Sequence, residues 1–397
     1  MGSGPPTASA AGFRRSLWIL LAGNALTEIG IGFFLPILPL FIGSRGGSAL
    51  LVGVIFATGM VGYGSAQYPG GWASDRFGRR RVIILSLATY GILFLVYLAP
   101  LPVWALVPVR FVHAFVAGFF GPAAAALVAD LTTPAQRGWA YGQLRASSMV
   151  GTVIGPVLGG VVAVFRLDAI FAAGALLCLA ATVMMLQLPA VPRIADLGAE
   201  PPRAPLQLLR RLVPVLLLAG PIYYVFGTYD AIWSLYITGR GATTVQVGLS
   251  FAVYALPIVL LGGTIGRLSD RLGYRRPAAL TITTYGILNG VYPLIANVPA
   301  LILIGFGEGA LTVAGQPALN AEVSRAAPPG QQGRTQGIYG LAVNAVQVLG
   351  AVAGGALYTI RPAFAFWAGT AICLLGVALS LIIWSRSVRG SPPDRQS

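Results

Sequence analysis

Glu28, Arg110, His113, Asp230 and Glu308 are ionisable side chains deep inside long apolar stretches of a 397-residue chain in which 9% of residues are charged. A charge in a hydrocarbon interior costs several kcal/mol, so such a residue faces a cavity, a partner or a relay. Glu28 stands about twelve residues into its stretch, roughly 18 Å along a helix, near mid-membrane. It is read as a carboxyl that takes up and releases a proton; the alternative is an ion pair with Arg110 that never titrates. Arginine does not give up its proton, so Arg110 organises the site. His113, one turn away on the same face, is either a proton relay or a neutral, hydrogen-bonded packing residue. Asp230 shares a helical stripe with Tyr223, Phe226 and Trp233. Aromatics around one carboxylate suit a lipophilic cation, although a helix end in an interfacial aromatic belt gives the same pattern. Glu308, in "GFGEGAL", has neighbours too small for a lipid-facing position and is read as binding substrate or relaying a proton. Asn344 and Gln347 share another helical face and bond either substrate or a neighbouring helix.

Much chemistry is excluded. All 26 basic residues are arginine, which removes a Walker A lysine and any lysine Schiff base. One histidine rules out a multi-histidine metal site within one chain. No nucleophile–base pair stands out, so an embedded enzyme is the weakest reading. Cys178 and Cys373 have neither CxxC spacing nor a secreted framework, and no disulfide is expected.

The elements that must position these groups are apolar helices. The chain is 56% hydrophobic with a mean hydropathy of +0.79, and runs of about twenty apolar residues each span a bilayer as a helix. Twelve runs are read, near 16–42, 49–73, 82–99, 102–129, 140–165, 168–188, 212–238, 246–267, 277–297, 299–322, 335–359 and 362–384. The first is too long, and lacks a clear cleavage site, to be a signal peptide. Of the arginines, 21 fall at chain ends or in every second loop, which places both termini and the central linker in the cytoplasm. The net charge of +15 is therefore a topology signal with attraction for anionic lipid, and no nucleic-acid partner is implied. The octet "SDRFGRRR" at 74–81 returns as "SDRLGYRR" at 269–276, an offset of 195, and "TYGIL", a proline, a Gly-Gly pair and a cysteine repeat at the same offset. An even number of helices per copy gives parallel repeats about an axis along the membrane normal. The expected domains are a flexible leader, 1–15; a six-helix bundle, 16–188; a proline- and charge-rich cytoplasmic linker, 189–211; a second bundle, 212–385; and a flexible tail, 386–397.

"GGWASDRFGRRR" (70–81) resembles the loop 2–3 signature of the major facilitator superfamily, with Gly71, Asp75, Arg76, Gly78, Arg79 and Arg80 at its defining places. The second copy keeps Gly266, Asp270, Arg271 and Gly273 but has Tyr274 in place of an arginine. "GTVIGPVLGG" (151–160) resembles the helix-five motif of twelve-helix drug–proton antiporters through Gly151, Gly155, Pro156, Gly159 and Gly160. Arg110 resembles the helix-four arginine, with His113 and Ala114 replacing the usual Gln-Gly. The resemblance implies a major facilitator fold, with two pseudo-symmetric bundles that rock about a central cavity in a cell (plasma) membrane. It also implies that the loop arginines with Asp75 and Asp130, and Asp270 with Arg271 in the second copy, latch the outward-open state. From position alone, Asp75 could also cap the helix that follows it. The glycine stripe reads as a pliable seam between halves or as ordinary close packing. The expected function is a monomeric, proton-driven antiporter that needs no cofactor and exports lipophilic or cationic, amphipathic small molecules. The alternative cargo is a lipid, glycolipid or sugar.

Overall fold

The structure is a computed structural model, and it describes residues 10–189, 205–272, 275–327 and 332–389. The side chains at 10–13, 134–135, 205–207, 262–272, 275–277, 316–318, 320–321, 332–334 and 384–389 lie outside the description. Every regular element among the described residues is helical.

The helices are α1 (Ala10–Phe34), α2 (Leu38–Ser44), α3 (Ala49–Phe77), α4 (Arg79–Val96), α5 (Leu106–Ala117), α6 (Phe120–Leu131), α7 (Pro134–Phe165) and α8 (Ala169–Met185). They continue as α9 (Pro205–Thr238), α10 (Thr244–Leu272), α11 (Arg275–Val291), α12 (Val298–Ala326), α13 (Gln332–Ile360) and α14 (Pro362–Arg389). Single 3₁₀ turns at Val103–Ala105 and Tyr292–Leu294 lead into α5 and follow α11.

Each of the twelve apolar runs is helical, but two are interrupted. The first breaks at 35–37 around Pro36, which has no N–H to give and whose ring crowds the preceding turn. The fourth breaks at Gly118–Phe119, so Arg110 and His113 ride on α5 while Asp130 rides on α6. Helix also extends into the expected leader, linker and tail: α1 begins at Ala10, α9 at Pro205, and α14 runs to Arg389. Nine stretches among the described residues are long and apolar enough to cross a membrane. The remaining three runs hold α4, α8 and α11. The first carries three arginines at its start, α8 has 17 residues, and α11 opens on two arginines.

The chain divides into two compact units. One is Met1–Gly46, Thr58–Gly198 and Thr243–Ala252; the other is Gly47–Ala57, Ala199–Ala242 and Val253–Ser397. A cut at the linker alone would miss this: short segments of α3 and α10 each group with the other sequence half. In the first unit α1 packs against α7 and α8, over a core that includes Leu20, Ile83, Leu127 and Ala181. In the second, α9 packs most extensively against α13, over Leu212, Ile222, Ile282 and Val323.

Glycines set these approaches. A Cβ on Gly155 would lie 2.8 Å from the Gly32 Cα, and one on Gly159 would lie 2.3 Å from the Phe33 carbonyl oxygen. In the second unit a Cβ on Gly227 would lie 1.9 Å from the Gln347 carbonyl oxygen. Positive φ occurs at Gly78, in the turn between α3 and α4, and at Gly46 and Gly241, which stand 195 residues apart.

Candidate functional site

In the first unit, Glu28 lines a cavity of about 240 Å³ with Asn24, Thr27, Tyr63, Ser86 and Ser148. α1 presents it there because Gly151 leaves room: a Cβ on Gly151 would lie 2.3 Å from the Cβ of Glu28. The cavity wall is cross-linked by the Asn24 amide, which donates to the Ser147 and Ser148 hydroxyls at 2.8 and 2.9 Å. Arg110 forms no ion pair with Glu28 among the described residues. Its guanidinium instead lies 5.1 Å over the Phe34 ring, with its Nε buried and unbonded. A side chain at Gly59 would strike it, with a Cβ 2.7 Å from that Nε. His113 has no exposure. It stacks on Tyr90 at 4.1 Å between ring centres and its Nδ1 lies 3.3 Å from the Tyr97 hydroxyl, while Nε2 is unbonded.

The second unit repeats this cage with different chemistry. Glu308 occupies the place 195 residues after His113 and is 1% exposed. Its Oε2 accepts from the Tyr292 hydroxyl at 2.9 Å, and its Oε1 lies 3.1 Å from the Tyr229 hydroxyl. Tyr292 is the counterpart of Tyr97, but Tyr229 and Asn289 stand where the first copy has Phe34 and Phe94. The Tyr229 hydroxyl also lies 2.8 Å from Asn289 Oδ1, and the Asn289 amide donates to the Phe366 carbonyl. No cation lies within ion-pair distance of Glu308 among the described residues.

Asp230 is half-buried and accepts from Gln347 Nε2 at 3.0 Å, a bond between α9 and α13. The expected aromatic stripe divides around it. Trp233 is buried against Tyr229 and Tyr292, at 5.6 and 5.0 Å between ring centres. Tyr223 and Phe226 pair with each other at 5.7 Å, and Phe226 reaches Tyr285. Helical periodicity puts the four on one side of α9, but neighbouring helices claim them differently. Asn344 is half-buried on α13.

At the α3–α4 turn, Arg79 bonds both Asp75 and Asp130, the latter at 3.2 Å from its Nε. Partial burial disfavours the charge of Arg79, and the two carboxylates outweigh it, raising its proton affinity. Asp75 does not cap the next helix; the cap position is Gly78, whose φ of 95° closes the turn without a side-chain bond. Arg80 donates to the Leu186 carbonyl, and Arg76 lies over Trp72. Gly71 has open space on its side-chain face. On α7, Gly155 and Gly159 face α1, whereas Gly160 and the Pro156 carbonyl abut Thr244 and Gly248 of α10. Asp270 and Arg271 belong to the α10 backbone, and their side chains lie outside the described residues, as do Gly273 and Tyr274.

The tyrosines around Glu308, with Asn289, and the polar groups around Glu28 were absent from the sequence expectation. One signal was available for the first set: the 195-residue offset sets polar Tyr229 and Asn289 opposite two phenylalanines, beside a copy that gained an acid.

A helical membrane protein that builds carboxyls and hydrogen-bonded cages inside its apolar bundles has the construction of a transporter. The sequence profile of the Major Facilitator Superfamily matches residues 20–238 and 215–397, and the chain belongs to that superfamily. It is a membrane transporter, not an enzyme. Multidrug resistance protein 2 of Bacillus subtilis (strain 168) is 26% identical over 383 residues, which cover 93% of this chain and 95% of that protein. Tetracycline resistance protein, class B, of Escherichia coli is 28% identical over 392 residues, covering 92% and 93%. The fold is also that of a bacterial homolog to the human lysosomal transporter Spinster, in an inward-facing and unoccupied conformation. The TM-score is 0.77 at 15% identity, over 97% of this chain and all of that one.

Proposed function

We propose that this transporter exports amphipathic, cationic or lipophilic drugs from the cytoplasm in exchange for protons, across twelve spans with both termini cytoplasmic. The expected bundles, 16–188 and 212–385, alternate the access of a shared pathway, and no cofactor is called for. The resistance proteins similar along nearly the whole chain support the cargo class. The observation that carries proton coupling is Glu308, a sealed carboxyl with tyrosine donors and no cationic partner among the described residues. A carboxylate so placed loses solvation worth several kcal/mol, so its ionisation calls for a change in its surroundings. A group of that kind ties proton exchange to conformation. Glu28, beside its polar cavity, and half-buried Asp230 complete the set of carboxyls available to protons or substrate, with Arg110 and His113 organising the first unit's side.

The test is proteoliposomes loaded at acid pH, into which tetraphenylphosphonium or tetracycline is introduced while proton movement is followed. Antiport gives probe-dependent proton release that Glu308→Gln removes. Silence with both probes, together with transfer of a fluorescent phospholipid between leaflets, would overturn the reading in favour of lipid export.

A further inference from the structure

The Tyr229 hydroxyl has one hydrogen and two acceptors within reach, Asn289 Oδ1 at 2.8 Å and Glu308 Oε1 at 3.1 Å. Asn289 cannot flip to relieve the conflict, because its amide nitrogen donates to the Phe366 carbonyl. Nor can Glu308 turn away, because Oε2 already accepts from Tyr292. The single Tyr229 hydrogen serves one acceptor or the other. If Tyr229 donates to Asn289, Glu308 must hold a proton on Oε1 and donate it to the Tyr229 oxygen. If Glu308 is ionised, Tyr229 donates to it, and Asn289 Oδ1 loses its partner.

We propose that Tyr229 is a positioning residue for the proton step at Glu308, its hydroxyl turning between Asn289 and the carboxylate as the proton leaves and returns. The proposal rests on the proton-coupled reading of Glu308. In the forward direction the Oε1–H bond breaks and the proton passes to water on the side to which the pathway is open. The Tyr229 O–H then rotates onto Oε1. The bond lost is the one joining α9 to Asn289 of α11, and through Asn289 to α14 at Phe366 and Thr370. The next residue on α9 is Asp230, bonded to Gln347 of α13. Loss of the proton therefore loosens α9 on one side of a helix that carries a carboxylate tied to another helix on the other.

The groups facing Glu308 are Tyr229 of α9, Tyr254 of α10, Tyr285 of α11, Tyr292 of the 3₁₀ turn and Cys373 of α14. None is an acid or a base that is charged at neutral pH, which leaves the hydrogen-bond count to decide.

The test needs no substrate. The full-length protein in lipid is titrated by infrared spectroscopy, and the protonated-carboxyl band of Glu308 is assigned by its loss in Glu308→Gln. Tyr229→Phe removes the donor to the carboxylate, and a bond to a charge is worth more than the neutral bond lost with it. The midpoint of the band then moves up by about one pH unit. Asn289→Leu leaves Tyr229 without an acceptor only in the protonated state, so the midpoint moves down by up to about one unit. Opposite signs support the switch; a merely structural role moves both the same way or neither. Shifts of the same sign, no shift, or a wild-type band missing at every pH would overturn it. Should Asn289→Leu aggregate, Asn289→Ala carries the same expectation, and a null or downward shift in Tyr229→Phe is by itself fatal. Absence of drug-driven proton movement in wild-type vesicles sinks the coupling reading instead, and leaves these midpoints to judge the switch.

Discussion

Arg79 serves two carboxylates, and they are not equivalent. The Asp130 side chain is 14% exposed and that of Asp75 is 61% exposed. Water screens the exposed pair, so its loss costs little, whereas Asp130→Asn removes a partly desolvated, charge-assisted bond worth about 1–3 kcal/mol. Thermal unfolding in detergent is expected to show a clear drop for Asp130→Asn and little change for Asp75→Asn. If Asp75 belongs to a latch, Asp75→Asn lowers transport without that thermal cost. A parallel contrast applies to the carboxyls. If Glu308 carries the coupling proton, Glu308→Gln keeps the cage filled and removes the exchange, so folded yield is expected near wild type while efflux driven by a pH gradient falls steeply. At this scale the sequence was partly legible. Apolar context singled out Glu28, Asp230 and Glu308, because a charge among helix-forming hydrophobes is conspicuous on its own. Their partners were not legible. Tyr229 and Tyr292 are ordinary residues for an apolar run, and only three-dimensional packing brings residues 79 and 16 positions away to Glu308.

Glycine spacing on α7 gave the face of a helix but not its partner, since a stripe at i, i+4 and i+8 suits any close neighbour. The partner is α1, through Gly32 and Phe33, inside one unit; the adjacent Pro156–Gly160 edge meets α10. The second unit has the tighter case. Gly227→Ala would set a methyl against the Gln347 carbonyl, an atom fixed in the α13 backbone. The helices must part, at about 1–3 kcal/mol, with the Asp230–Gln347 bond one turn away. Gly307→Ala meets nothing within 4 Å and is expected to be neutral in the same melting measurement. A second element-scale device is Arg240. It donates to the Ile295 and Pro293 carbonyls and lies 3.7 Å over Tyr236, so it pins the turn that carries Tyr292. Arg240→Ala is expected to raise hydrogen exchange across 292–297, while Arg361→Ala, which removes a guanidinium lying over Phe364 and Trp367, leaves that segment protected. The apolar runs marked each helix, because nothing else satisfies backbone groups in hydrocarbon. The break at Gly118–Phe119 lies four residues before Pro122, which has no N–H for the Gly118 carbonyl and whose ring crowds it, and the Gly118 face lies on Ala66 and the Tyr63 carbonyl of α3.

Duplication governs the whole molecule: the 195-residue offset that aligns the loop octets also aligns two aromatic cages, two loop arginines, Arg45 and Arg240, and two left-handed glycines. Parallel copies require an even number of crossings in each half, and that requirement falls hardest on the three helices outside the long apolar set. α4 has 18 residues, roughly 27 Å of helix, against a hydrocarbon layer of about 30 Å. Its arginines sit at one end, where they can reach the interface while the apolar remainder crosses. If α4 crosses from the cytoplasm, residue 99 lies outside, and the return crossing by α5 and α6 puts residue 138 back in the cytoplasm. Cysteine accessibility decides this cleanly, since the native Cys178 and Cys373 are both fully buried and give little background. Ala99→Cys is expected to react with a membrane-impermeant maleimide in intact cells. Gly138→Cys, whose side-chain position meets nothing within 4 Å, is expected to react only after permeabilisation. Labelling of both from outside would mean that α5 and α6 do not complete the return crossing. The second copy would then enter inverted, and its arginine-rich octet would stand on the side where the positive-inside rule forbids it.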